Sequence, residues 1–373
     1  MKENKRALVK EVLTKTKEEK KAYFKNCVVP HTKLLHVSRE LKKEIEIGEY
    51  NIILVVGPSG VGKSKLFEEI IRIIYEEMSE ELELDRSMIP VSGIELPSPD
   101  LGKFNWKDVY YRVLEGLNEP LIDKKIDVEK LTNKTQMRKV KSHASGTAPE
   151  LRRTVEKAFY YRKTKALLID EAQHFFKTKE KVTATQFNSI KSLANMSNTK
   201  IVLFGTYDLN KVINLDGQLS RRVFEIHFPR YDYEDKNDRT DFQRLLMSFL
   251  VQMPLEEEPV YLLKEHHRYI YENCIGCAGI LKNWLQKCLS DALENNETTI
   301  TLDNLKRNAL QTQKLLTLAE EALSGEMDFV EMDEDRERLK SLLGTKENET
   351  KKETLSKKKK EPGKRNPVRD SVG

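Results

Sequence analysis

Residues 51–64 read NIILVVGPSGVGKS, and this stretch decides the fold. Asn51 to Gly57 is a short continuous apolar run closed by glycine, the pattern of a strand buried on both faces in a parallel sheet. From Lys63 to Met78 the apolar positions Leu66, Phe67, Ile70, Ile71, Ile74 and Met78 recur at spacings of three and four, so a helix with one buried face follows directly. The turn between them, Gly57-Pro58-Ser59-Gly60-Val61-Gly62-Lys63-Ser64, matches G-x-x-x-x-G-K-[ST] at every fixed position. Glycines let successive N–H groups converge on phosphate oxygens, and the helix start adds its positive dipole end. Lys63 is placed to reach the terminal phosphates and Ser64 to ligate magnesium.

Ala166 to Glu171, ALLIDE, is a second apolar strand, ending in two acids. Phosphoryl transfer needs positioning and charge stabilisation more than covalent chemistry. Asp170 therefore reads as a magnesium partner and Glu171 as the group that polarises the attacking water. Ile201 to Thr206, IVLFGT, is another buried strand with a polar end, which makes Thr206 a candidate for orienting water or sensing the terminal phosphate, or else a helix cap. Arg221 and Arg222 precede a strand candidate at Val223 to Phe228, where either would serve a neighbouring subunit's terminal phosphate in trans, or form a solvated pair.

With a further strand at Met88 to Glu95 and helical patterns between the strands, the expected class is α/β, a five-stranded parallel sheet with helices on both faces. One of those helices is opened by a capping box, Thr147 to Glu150, before the run Leu151 to Arg162, and another spans about Thr183 to Met196. After Pro229 only helical patterns remain, at about Asp238 to Val251, Glu256 to Asn273, Gly279 to Asn295 and Leu302 to Ala322. The expected organisation is a charged N-terminal arm (1–24), an α/β nucleotide-binding core (25–230), an all-helical lid (231–325), a short acidic helical segment (326–344) and a basic disordered tail (345–373).

The chain's 65 basic and 60 acidic residues leave a net charge of +5, so global charge does not identify a nucleic-acid partner. The run from Lys124 to Arg153 is locally basic, with Lys134, Arg138, Lys139, Lys141, His143, Arg152 and Arg153. Together with Lys103 it forms a candidate DNA-binding surface that tracks phosphates, set against the ordinary reading of a solvated loop. No stretch is apolar enough to span a bilayer, and four unevenly spaced cysteines do not form a disulfide framework, so the chain reads as cytoplasmic. Cys274 and Cys277 form one C-x-x-C pair, for which His266, His267 and Cys288 are potential zinc partners, but Cys288 falls on the stripe Ile280, Trp284, Cys288, Ala292 and reads as core.

GPSGVGKS, LLIDEAQHFF, IVLFGTYDL and QLSRRVFEIHFPRY together resemble the TnsC/TniB group of AAA+ ATPases, target-selection regulators of transposons related to IstB and MuB. The resemblance covers about residues 25–295. It implies ATP with Mg2+ as cofactors, a C-terminal helical lid, and self-assembly into a ring or helical filament on double-stranded DNA. It further implies a bridge from a TniQ/TnsD-type target selector to a transposase, with hydrolysis driving disassembly. Gly57 to Ser64, Asp170 and Glu171 match the family's nucleotide site, Thr206 its sensor position, and Arg221 or Arg222 its trans arginine. The lid arginine of AAA+ proteins is not evident, and Lys282 in GILKNWL stands as the substitute nucleotide contact, which implies a slow, switch-like ATPase. The competing readings are a replication-initiator or clamp-loader-like AAA+ protein, a superfamily 2 helicase, which needs a second strand set that the chain lacks, and a signalling NTPase with protein partners only.

Overall fold

A computed structural model describes residues 11–99, 104–120, 122, 147–176, 180–214, 221–330 and 332–345. The chain divides into two compact units, Met1–Phe329 and Val330–Gly373.

In the first unit, α1 (Lys17–Asn26) and α2 (Thr32–Ile47) precede β1 (Ile52–Val56), α3 (Lys63–Glu77), α4 (Ser79–Leu84), β2 (Val91–Glu95), α5 (Trp106–Gly116) and α6 (Ala148–Arg162). Then come β3 (Ala166–Asp170), a 3-10 turn (Ala172–Phe175), α7 (Glu180–Ser197), β4 (Lys200–Gly205), α8 (Tyr207–Asn214) and β5 (Val223–His227). The five strands form one parallel sheet in the order β2-β3-β4-β1-β5.

Strand alternation divides the core into two layers. Ile52, Leu54 and Val56 of β1, with Leu167, Ile169, Ile201 and Leu203, pack on α5, α6 and α7 through Val113, Leu114, Val155, Phe159, Phe187 and Ile190. The intervening residues Ile53, Val55, Leu168, Val202 and Phe204 face α2 and α3 through Leu41, Leu66 and Ile70. Both faces being covered explains why β1, β3 and β4 read as unbroken apolar runs. The capping box before α6 forms as expected: the Glu150 carboxylate accepts from the Thr147 amide at 2.9 Å and hydroxyl at 3.0 Å. Strand β2 begins at Val91 rather than Met88, because Pro90 has no N–H for the ladder and contributes only its carbonyl, to Lys165 and Ala166.

A separate apolar cluster is built from α9 (Lys236–Val251), α10 (Tyr261–Cys274), α11 (Ala278–Glu294) and α12 (Leu302–Asn308), followed by α13 (Thr312–Glu326) and a 3-10 turn (Met327–Phe329). The single helix expected over 302–322 is broken. Asn308 turns its side-chain amide onto Asp291 and the Asn304 carbonyl, and extended backbone at Ala309 separates α12 from α13. The segment expected as a charged arm carries α1, capped by Thr16 and Glu19, and buries Phe24 within the helical cluster. Cys274 and Cys288 pack in the same cluster, while His267 faces Tyr233. In the second unit, α14 (Asp333–Leu343) has an acidic first turn and ends at Gly344 in the left-handed region. No helix among the described residues is long and apolar enough to cross a membrane.

Candidate functional site

Parallel register brings four strand ends to one edge. Val56, the last residue of β1, lies level with Gly205 of β4 and His227 of β5, and β3 runs alongside β4. The Gly57–Gly62 turn, Thr206, Phe228 and the Asp170-Glu171 pair therefore emerge side by side. That edge is where open parallel α/β sheets place ligands, because the helix starts and loop amides face outward there.

The turn's shape depends on glycine at three points. A Cβ on Gly57 would lie 2.2 Å from the Phe228 carbonyl oxygen, so only glycine admits the β5 backbone this close. Gly60 and Gly62 have φ of +78° and +121°, and Gly62 opens α3 with its carbonyl accepting from Lys65 and Leu66. The Lys63 side chain folds under this turn, and its ammonium donates to the carbonyls of Gly57 and Pro58, each at 2.9 Å. Lys63 as a whole is half-buried, with its ammonium held against the loop carbonyls. Burial lowers its pKa to about 8, against the opposing pull of Asp170 and Glu171. Both carboxylates thus act on Lys63, although more than a hundred residues separate them in sequence.

Asp170 is buried, and its Oδ1 accepts the Glu171 amide at 2.9 Å. Glu171 has φ of +55°, a strained conformation for a non-glycine residue, held by the 3-10 turn that it caps. Gln173 Nε2 donates to the Glu171 carboxylate at 2.5 Å, and His174 Nε2 lies 3.9 Å from that carboxylate and 3.3 Å from Ser98 Oγ. Gln173 and His174 follow the acidic pair directly in the sequence, but their role in fixing Glu171 is visible only in the fold. Ser64 is exposed at the start of α3. A hydroxyl there and a buried carboxylate at the end of β3 fit a hard, oxygen-preferring cation such as Mg2+.

Arg221 and half-buried Arg222 sit at the amino end of β5. Five strand residues, about 17 Å, separate them from the Lys63 edge, so they do not serve their own chain's turn. Lys282 Nζ donates to the carbonyls of Lys25 and Cys27, both at 2.7 Å, which fastens α11 to the chain entering the domain. The contact from the helical region to the phosphate turn is made instead by backbone: the amides of Gly279 and Ile280 donate to the Gly60 carbonyl at 2.9 and 3.2 Å. Of the basic surface, Arg152 pairs with Glu156 at 3.0 Å and reaches Ser192 Oγ at 2.6 Å, which joins α6 to α7. Arg153 is exposed. Lys103, Lys134, Arg138, Lys139 and Lys141 lie outside the described residues.

Residues 46–213 match the AAA domain family. No curated protein matches the chain. Among solved structures, the ADP form of the ORC2 protein of Aeropyrum pernix is similar at 12% identity and a TM-score of 0.50, over 76% of this chain and 70% of that one. Its ADPNP–ADP form gives 12% identity and a TM-score of 0.49, over 78% and 72%. A Walker-type ATPase of Pyrococcus abyssi gives 19% identity and a TM-score of 0.43, over 81% and 75%. At 12% identity the likeness to the ADP form concerns the fold alone.

Proposed function

We propose, from the match of residues 46–213 to the AAA domain family, that the protein is a slow, switch-like ATPase that assembles on double-stranded DNA in its ATP state. The observation that carries this reading is the convergence of Lys63 with Asp170 and Glu171 at one sheet edge. The turn amides and Lys63 bind the phosphates, and Ser64 and Asp170 hold Mg2+, which supplies charge neutralisation at the transferring phosphoryl group. Glu171, fixed by Gln173, orients the attacking water, and Thr206 lies beside the same edge to sense the terminal phosphate. Arg221 or Arg222 completes a neighbouring copy's site, which makes hydrolysis depend on assembly.

The resemblance of GPSGVGKS, LLIDEAQHFF and RRVFEIHFPRY to the TnsC/TniB group supports a role in DNA transposition. In that role the assembled protein connects a TniQ/TnsD-type target selector to a transposase, and hydrolysis releases it. Lys103, Lys134, Arg138, Lys139, Lys141 and Arg153 supply the phosphate contacts. The test is retention of the full chain on immobilised duplex DNA of arbitrary sequence with a nonhydrolysable ATP analogue, with ADP, or with neither. Retention with the analogue alone, as an oligomer, is the expected result. Equal retention in all three conditions, or none with the analogue, refutes the reading.

A further inference from the structure

A half-buried cation near the site edge, Arg230, has no task in the reading above. Arg230 lies two residues beyond Phe228, whose carbonyl touches Gly57 and whose ring lies against Gly62. Its neighbour Tyr231 donates its amide to Gly276, at the start of the same turn that puts Gly279 and Ile280 on Gly60. Within that turn Cys277 feels the charge of both Lys63 and Arg230.

Besides a long 3.5 Å contact from Nη1 to the carbonyl of the adjacent Tyr231, the side-chain partners of Arg230 among the described residues come from far away in sequence. Nη1 donates to the Tyr271 hydroxyl at 2.9 Å, and Nη2 pairs with Glu326 Oε2 at 3.1 Å. Its Nε–H is buried and has no partner among the described residues. The pair is poorly solvated, with side chains 13% and 21% exposed. Burial raises the pKa of Glu326 despite the guanidinium beside it. A buried ion pair with an unsatisfied donor adds little to stability, because desolvation offsets the attraction.

Glu326 is delivered by a strap laid over the same strand ends. A Cβ on Gly325 would meet the Tyr207 ring at 2.0 Å, so glycine is what lets the helix approach the residue immediately after Thr206. Three residues past Glu326, Phe329 stacks on His227 with ring centroids 4.2 Å apart and planes 7° apart. Tyr207 and His227 are themselves joined at 2.8 Å. Upstream, α13 is largely exposed and buries only Ala322 and Gly325, so the strap is held mainly by its last turn and the residues after it.

We propose that Arg230 is the second cation that contacts the terminal phosphate of the bound nucleotide, and that the Glu326 carboxylate is its intramolecular stand-in, displaced when a triphosphate binds. A planar guanidinium already spaced for a carboxylate takes a phosphate in the same geometry. ADP, one phosphate short, leaves the Arg230–Glu326 pair intact, so the exchange reports the third phosphate. The C-terminal strap is thereby coupled to nucleotide state.

This rests on the nucleotide reading of Lys63, and one set of titrations separates the two. Affinities for a nonhydrolysable ATP analogue and for ADP are measured by calorimetry on the full chain and on Arg230→Ala, Arg230→Lys, Glu326→Gln, the Arg230→Ala/Glu326→Gln double variant and Lys63→Ala, with thermal unfolding as the check on folding. Glu326→Gln, nearly isosteric, should raise analogue affinity about tenfold and leave ADP within about twofold. Arg230→Ala should erase the analogue's advantage over ADP and make the Glu326→Gln effect vanish in the double variant. Arg230→Lys should keep part of the advantage.

An unchanged analogue-to-ADP ratio in Glu326→Gln, or equal losses for both nucleotides in Arg230→Ala, makes the pair a structural clamp and overturns the inference. If Lys63→Ala binds both nucleotides normally, the nucleotide site itself is wrong. If Lys63→Ala loses both while Arg230→Ala keeps the ratio, only the present inference fails.

Discussion

The pH dependence of nucleotide affinity follows from where Lys63 keeps its ammonium. In the free protein that group is desolvated inside the turn and titrates near pH 8 rather than at the ordinary lysine value of about 10.4. A bound polyphosphate holds it protonated, so above pH 8 binding must be accompanied by proton uptake. The sign is fixed by this: affinity is full below the free-state value and falls as pH rises through and beyond it. With a free-state pKa of about 8, the protonated fraction drops from about 0.8 at about pH 7.5 to about 0.03 at about pH 9.5. The dissociation constant should therefore rise about 25-fold across that interval, or about 2 kcal/mol. Titration of a fluorescent ATP analogue at constant ionic strength measures it directly, because the phosphates are already fully ionised in this range. Lys63→Arg serves as the control, since a guanidinium stays charged throughout and the slope should disappear whatever the absolute affinity. A flat profile for the unsubstituted chain, or an affinity that grows with pH, refutes the placement of the ammonium and the role built on it.

Glu171→Gln should lower ATP turnover by at least about 100-fold with analogue affinity unchanged, because the carboxylate is assigned to the water and not to the phosphates; matched losses in binding and turnover on steady-state and equilibrium assays would count against that assignment. Gly60→Ala introduces a side chain at φ +78° and a Cβ 2.5 Å from Ile280 Cγ1, so it should cost about 1–3 kcal/mol in denaturant unfolding and remove hydrogen-exchange protection from the Gly279 and Ile280 amides. Full protection of those two amides in the variant would show that α11 is not held by the phosphate turn.

The α/β core was legible because its signals are local. β1, β3 and β4 are covered on both faces and so carry continuous apolar runs, Ile52–Val56, Ala166–Ile169 and Ile201–Phe204, and the Thr147–Glu150 box marks the start of α6 within four residues. The turn from Gly57 to Ser64 is likewise a contiguous motif, and the acids that meet it close another such strand. What escaped the sequence depends on partners far along the chain. Helix α1 looks like a solvated arm because only Phe24 on it is buried, and what covers that ring lies more than 200 residues away. Lys282, expected at the nucleotide, is taken by the carbonyls of Lys25 and Cys27, a pairing set by the return of the N-terminal segment to α11. Arg230 and Glu326 are 96 positions apart, and nothing in either neighbourhood announces the other. The break between α12 and α13 is similarly tertiary, since Asn308 ends α12 with its side chain on Asp291 of α11 and Ala309 turns extended.

The most direct measurement is calorimetric titration of ATP with Mg2+ into the intact chain and into Lys63→Ala, after circular dichroism has established that both are folded. Loss of the ammonium that Asp170 and Glu171 face should weaken binding by at least about 100-fold, roughly 3 kcal/mol, with unfolding temperature little changed. Equal affinity in the two proteins would mean that the Gly57–Ser64 turn does not hold the nucleotide.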